Sequence, residues 1–232
     1  METELVNPVP EIGGSFGNVI RTDPQSPRLP ISPSPLLPSS TSAWRIFCAI
    51  EIPKDIRSQL EDRIRRLDLA VPQNEASWTR PENIHLTLKF FGNVEQDKIP
   101  KVSQAMARSV EGLAAFRFRL AGTGAFPKHG SPRVLWIGVE DSHERLAALQ
   151  QRLEEECEKE GFPKETRPFN PHLTIARLRK PRGARELARL HQSMAFEGVE
   201  TSVSELLLFR SESSSSGSKY TVISRQQLSE ML

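Results

Sequence analysis

The tetrapeptide His-Leu-Thr-hydrophobe occurs twice in this chain, as His85-Leu86-Thr87-Leu88 and, 87 residues later, as His172-Leu173-Thr174-Ile175. Each copy sits in a β-prone run, and on a strand successive side chains face opposite sides. His85 and Thr87 therefore share one face while Leu86 and Leu88 take the other, and His172 and Thr174 oppose Leu173 and Ile175 in the same way. Two such strands across a cleft present two imidazoles and two hydroxyls to one bound group.

The order of elements around the motifs repeats as well. An apolar strand over 44–52, stopped by Pro53, leads to a helix marked by Ile56, Leu60, Ile64 and Leu67, with Arg57, Asp62, Arg63 and Arg66 on its wet side. The first motif strand follows over 84–91 and is closed by Gly92-Asn93. A strand over 133–139, a helix over 143–160 ended by Gly161, and the second motif strand repeat the series. Between the two units lie a helix over 97–110, with Pro100 in its first turn, and a strand from Phe116 in which Phe116, Phe118 and Leu120 alternate with Arg117 and Arg119. A Gly- and Pro-rich loop spans 122–132. A helix over 184–194, strands over 196–209, a Ser-rich turn over 213–218 and a strand over 219–224 complete the reading. The expected fold class is α+β: two pseudo-symmetric lobes, each an antiparallel β-sheet backed by helices, flanking a central cleft.

Composition limits the rest. The first 42 residues hold Pro8, Pro10, Pro24, Pro27, Pro30, Pro33, Pro35 and Pro38 with many serines and no hydrophobic period, so 1–42 is expected to be a flexible extension. The bilobal domain is expected over 43–226 and a short C-terminal tail over 227–232. No window approaches the roughly 18 apolar residues of a membrane span, and the amino terminus lacks a basic segment followed by an apolar core. Arg21 and Arg28 are too few for an organelle transit peptide beside Glu2, Glu4, Glu11 and Asp23. Cys48 and Cys157 read as two buried thiols of a reducing compartment, so a cytoplasmic protein with no membrane partner is expected. The net charge of +2 neither demands nor forbids a polyanionic ligand, though a strong duplex-binding protein is usually more basic.

Imidazole gives or takes a proton near neutral pH, and a pair supplies an acid and a base together. Neither motif carries a second His, Cys or carboxylate at ligand spacing, so no metal and no cofactor are expected. The reaction that fits is in-line displacement at phosphorus, with Thr87 and Thr174 holding the non-bridging oxygens. A 2′,3′-cyclic phosphate is the natural substrate, because its strained ring already contains the leaving alkoxide. Lys89, two residues past Thr87, is expected on the same face and within reach of phosphate. Arg177, at an odd offset from His172, turns away unless a bulge intervenes. Phe126 and His129, in the loop over 122–132, are candidates to stack a base. His143 and His191 read as solvated or capping side chains on helices.

Glu82-Asn83-Ile84-His85-Leu86-Thr87-Leu88-Lys89-Phe90-Phe91-Gly92 and Phe169-Asn170-Pro171-His172-Leu173-Thr174-Ile175-Ala176-Arg177 resemble the two HxTx motifs of the two-histidine phosphoesterase superfamily. Within it the chain is most similar to the RNA 2′,3′-cyclic phosphodiesterases, also called 2′-5′ RNA ligases. The likeness also takes in Trp44-Arg45-Ile46-Phe47, Pro132-Arg133-Val134-Leu135-Trp136, Leu208-Phe209 and Tyr220, and so runs over about 44–224. The resemblance implies hydrolysis of an RNA 2′,3′-cyclic phosphate end to a 2′-phosphomonoester, with His85 donating a proton to the 3′ oxygen and His172 activating water. It also implies the related joining of a cyclic phosphate end to a 5′-hydroxyl, and RNA bearing that terminus as the partner of a monomer. Two other readings stay open: a non-catalytic module that binds RNA ends or nucleotide phosphate, and a cyclic phosphodiesterase acting on a small nucleotide.

Overall fold

The structure, a computed structural model, describes residues 42–215 and 217–230; the extension expected over 1–42 falls, but for its last residue, outside them. In chain order the elements are β1 (Ala43–Glu51), α1 (Lys54–Ala70), β2 (Ala76–Trp78), β3 (His85–Glu95), α2 (Ile99–Val110), β4 (Phe116–Phe126) and β5 (Val134–Glu140). They continue with α3 (Arg145–Lys159), β6 (His172–Leu178), α4 (Ala184–Ser193), β7 (Val199–Val203), β8 (Glu205–Ser214) and β9 (Gly217–Gln227). The α+β class and the repeated order of strand, helix and motif strand are as the sequence predicts.

The two lobes are halves of one antiparallel sheet, ordered β7-β4-β5-β6-β3-β1-β8-β9, with β2 added to β6. Each motif strand lies at the centre, beside the strand that opens its own unit: β3 pairs with β1 and β6 with β5. Between them β3 and β6 register through Leu86 and Leu173 alone. In an antiparallel pair this alignment sets His85 at the register position of Thr174, and Thr87 at that of His172. The pseudo-two-fold relation expected from element order therefore passes through the Leu86–Leu173 pair.

One face of the sheet is packed. Leu86, Leu88, Leu135, Ile137, Leu173 and Ile175 form a single core with Ile56, Leu60 and Leu67 of α1, Val102 and Met106 of α2, Leu149 and Leu153 of α3 and Leu187 of α4. Because the leucines of both motifs are anchored there, their histidines and threonines are left on the opposite face, where all four are partly exposed. A smaller apolar cluster of Phe47, Ala49, Leu207 and Phe209, with Tyr220 and Val222 against it, is separate from the main core.

Several boundaries differ from expectation, each for a packing reason. β3 runs past Gly92-Asn93 to Glu95 because β1 continues to pair with it as far as Ala43–Glu95. β4 runs through Gly122 and Gly124 to Phe126, where a loop is expected. At Gly124 a Cβ would sit inside the Trp136 ring, so glycine here makes room for a cross-strand indole. The serine run over 213–218 includes the end of the β8–β9 hairpin, with Ser213 paired to Ser218 and Ser214 to Gly217. Arg63 and His191, expected at the surface, are buried together. The Arg63 guanidinium donates to the carbonyls of His191 and Met194, at the end of α4, and to His191 Nδ1, while His191 Nε2 donates to the Trp136 carbonyl.

Candidate active site

Both motif strands carry the same break in alternation. From His85 and from His172 six successive positions run partly buried, buried, partly buried, buried, buried, exposed. The cause is a bulge in each: β1 passes from Cys48–Lys89 to Ala49–Thr87, skipping Leu88, and β5 passes from Leu135–Ala176 to Trp136–Thr174, skipping Ile175. A bulge puts two consecutive residues on one side and reverses every side chain after it.

The reversal decides the fate of two expected contacts. Lys89, expected beside Thr87 on the cleft face, turns inward: its ammonium is buried against the Glu154 carboxylate and donates to the Pro163 carbonyl at 2.8 Å. It is no phosphate ligand but ties the end of the first motif to α3 and to the loop leading into the second. Arg177 turns outward by the same reversal and is exposed on the face of His172 and Thr174. Its charge is near enough to His85 to disfavour the imidazolium. Phe90 occupies the position equivalent to Arg177 in the first motif and is 59% exposed, its ring 5.7 Å from that of Phe47.

The two imidazoles are held identically. His85 Nδ1 lies 2.7 Å from the Asn83 carbonyl and His172 Nδ1 lies 2.8 Å from the Asn170 carbonyl, each two residues back along the chain. A carbonyl only accepts, so in each ring Nδ1 carries the hydrogen and Nε2 is the nitrogen free to take or give a proton. The residue between carbonyl and histidine is Ile84 in the first motif, with extended backbone, and Pro171 in the second.

The surroundings then diverge. His85 stacks on Phe47 with ring centroids 4.7 Å apart and meets Tyr220 edge-on at 5.3 Å; Phe209 stacks on Phe47 at 5.2 Å and lies 6.1 Å from the His85 ring itself. This aromatic bed desolvates the ring, and burial, with a smaller push from Arg177, lowers the His85 pKa to about 4. The ring is therefore neutral at pH 7. Among the described residues the aromatic ring against His172 is that of Phe126, edge-on at 5.1 Å, and Phe126 in turn packs on Trp136 at 5.3 Å. Phe126, expected in a loop, is thus the last residue of β4 and a wall for the second imidazole. His129 stays in the β4–β5 loop and is exposed.

Sequence reasoning places His85, Thr87, His172 and Thr174 on one face, and the structure brings all four together there. That reasoning names Phe47 and Tyr220 only within the family likeness, with no place at the site, and it allows a bulge before Arg177 but expects none in the first motif. The Asn-Xaa-His spacing common to both motifs is the one available sign of the shared carbonyl anchor. Among the described residues no group of three or more His, Cys, Asp and Glu side chains is placed to hold a metal ion. Cys48 and Cys157 are both buried and free, and burial pushes each thiol up, Cys157 to about 12.

Residues 55–214 match the family model described as the 2′-5′ RNA ligase superfamily. The chain is 35% identical over 183 residues to an RNA 2′,3′-cyclic phosphodiesterase of Methanothermobacter thermautotrophicus, covering 76% of this chain and 95% of that one. It is 33% identical over 179 residues to a protein of the same name from Thermotoga maritima, covering 77% and 92%. The crystal structure of TT0787 of Thermus thermophilus superimposes with a TM-score of 0.66 at 29% identity, covering 80% of this chain and 98% of that one.

Proposed function

The chain belongs to the 2′-5′ RNA ligase superfamily, and from that membership we propose that it is an RNA 2′,3′-cyclic phosphodiesterase in which His85 and His172 divide the acid and base work. The observation that carries the proposal is the matched anchoring of the two rings, each with Nδ1 tied to a carbonyl and Nε2 free, on adjacent strands that share one face. A cyclic phosphodiester seated over that face meets a proton carrier from each half of the sheet. His172 Nε2 takes a proton from water as the water oxygen attacks phosphorus; the P–O3′ bond breaks and the 3′ oxygen receives a proton from His85 Nε2. Thr87 and Thr174 donate hydrogen bonds to the non-bridging oxygens as charge accumulates on them, and Arg177 adds a cation there. The product is a 2′-phosphomonoester. With a 5′-hydroxyl in place of water the same displacement joins two RNA ends through a 2′-5′ bond.

The lowered pKa of His85 sets a condition on the donor role that the family resemblance gives it. At that pKa the ring is neutral near pH 7, so the proton it donates has to be taken up as the substrate binds. A phosphodiester anion beside Nε2 supplies the opposing charge that draws that proton on. Phe90, exposed against Phe47, offers a face on which the terminal base stacks. The catalytic unit is the bilobal stretch 43–226, acting as a metal-independent monomer in the cytoplasm, where two free buried thiols are at home.

The test is incubation with an RNA ending in a 2′,3′-cyclic phosphate, with and without EDTA, followed by identification of the product. A 2′-phosphate formed at equal rates in both is expected. A 3′-phosphate would reverse the leaving group, and chelator sensitivity would remove the metal-free mechanism. Ligand retention without any product would make the chain a binding module, and turnover confined to mononucleotides would make it a small-molecule enzyme.

A further inference from the structure

β7 pairs only with Phe116–Leu120 of β4, which leaves the edge of β4 from Thr123 onward without a strand partner. Along that edge, between the β4–β5 loop and α4, lies a cavity of about 400 Å³. Its charged lining consists of Lys128 from the loop and Arg185 and Arg189, one helical turn apart on α4, and no carboxylate contributes to it. All three cations are exposed, and none has an acidic partner among the described residues. Other surface cations are paired, as at Arg65–Asp62, Lys98–Glu95 and Arg225–Glu205, or stand unpaired among the described residues outside this cavity, as Lys54, Lys101 and Arg145 do. Three uncompensated cations around one concavity therefore mark a site for anions rather than a solvated face.

Two further features say which anion. Gln192 and Trp136 also line the cavity, and the indole Nε1–H of Trp136 is buried with no acceptor among the described residues. Trp136 is also the link to the cleft, since its ring packs on Phe126 and Phe126 packs on His172. The groove thus begins two ring contacts from the second catalytic imidazole. Cations spaced along a groove, with aromatic rings between them and a phosphate-handling centre, are what a single-stranded nucleic acid requires.

We infer that this groove holds the sugar-phosphate backbone of the RNA on the 5′ side of its cyclic end, with Arg185, Arg189 and Lys128 on successive phosphates. The inference rests on the reading of the cleft as a site for RNA cyclic phosphate ends. It makes the enzyme prefer a strand over a mononucleotide carrying the same terminus, and it makes that preference dependent on salt.

The experiment compares a 2′,3′-cyclic mononucleotide with a short oligonucleotide bearing the same end, across a range of KCl, for the wild type, an Arg185→Glu/Arg189→Glu variant and an Arg185→Gln/Arg189→Gln variant. Both residues project from α4 into solvent, so the fold is kept. For the oligonucleotide, kcat/KM is expected to fall about 10-fold or more in the Glu variant and less in the Gln variant, through KM. Its log-log salt dependence should flatten by about 0.7 per lost phosphate contact. Mononucleotide turnover is expected to stay at the wild-type level. Unchanged kinetics on the oligonucleotide, or equal losses on both substrates, would overturn the inference while leaving the cleft chemistry standing. A wild type inactive on both substrates would overturn the reading of the cleft, and the groove inference with it.

Discussion

A histidine serves as a proton carrier when one ring nitrogen is tied down and the other is free, and the Asn83 and Asn170 carbonyls do the tying here. Replacing either His85 or His172 by Ala should lower turnover of a cyclic-ended RNA by about 10² to 10⁴ with little change in thermal stability, because neither ring belongs to the main core. The ionisation of His85 is open to direct measurement. An NMR pH titration of its ring resonances should show a pKa near 4 in the free protein. Arg177→Gln removes a like charge and should raise that value, and a bound phosphate ester should raise it further. A free-protein pKa near the ordinary imidazole value would show that the aromatic bed of Phe47 and Tyr220 does not exclude water as packed here.

At the scale of elements, the paired bulges explain both what the sequence discloses and what it hides. Strict period two places His and Thr correctly because both precede the bulge in each strand. It fails for Lys89 and Arg177 because both follow it, and nothing in the residues from Leu88 to Phe90 announces a skipped partner. Helices are legible from their apolar spacing, yet that spacing misleads at Arg63 and His191, since each buries a polar side chain whose partners lie on other elements. The Lys89–Glu154 pair is a second such bond between elements. Lys89→Met alone strands a buried carboxylate and should cost about 3–5 kcal/mol in urea unfolding, whereas Lys89→Met combined with Glu154→Leu should recover much of the loss. Additive losses in that cycle would mean the two side chains do not interact. At Gly124 the intrusion of a Cβ into the Trp136 ring should make Gly124→Ala destabilising by about 1–3 kcal/mol. Because Trp136 supports Phe126 and Phe126 walls His172, kcat should fall along with stability.

For the molecule as a whole, a continuous sheet lets two lobes share one active face. Helices cover the leucine side and leave the histidine side open. The same construction fixes the response to pH. His85 and His191 are both lowered to about 4, each by burial first, so between that value and the unfolded imidazole pKa near 6.5 the unfolded chain binds protons that the folded chain does not. Stability contributed by keeping these rings neutral is complete above about pH 6.5 and is lost as the pH falls toward about 4. For fully buried His191 the loss approaches about 3 kcal/mol. Urea midpoints should therefore decline over that window, and a flat profile would remove the assignment of His191 as a neutral bridge between Arg63 and Trp136.

Two imidazoles at one phosphorus admit a rival to acid-base catalysis, in which one ring attacks and a phosphohistidine forms before water arrives. Stereochemistry separates them. With one non-bridging oxygen of the RNA 2′,3′-cyclic phosphate replaced by sulfur in a single configuration, and hydrolysis run in ¹⁸O-water, the configuration at phosphorus in the product records the number of displacements. One in-line attack by water between His172 and His85 predicts inversion; retention would mean two displacements through a covalent enzyme intermediate and would contradict the account.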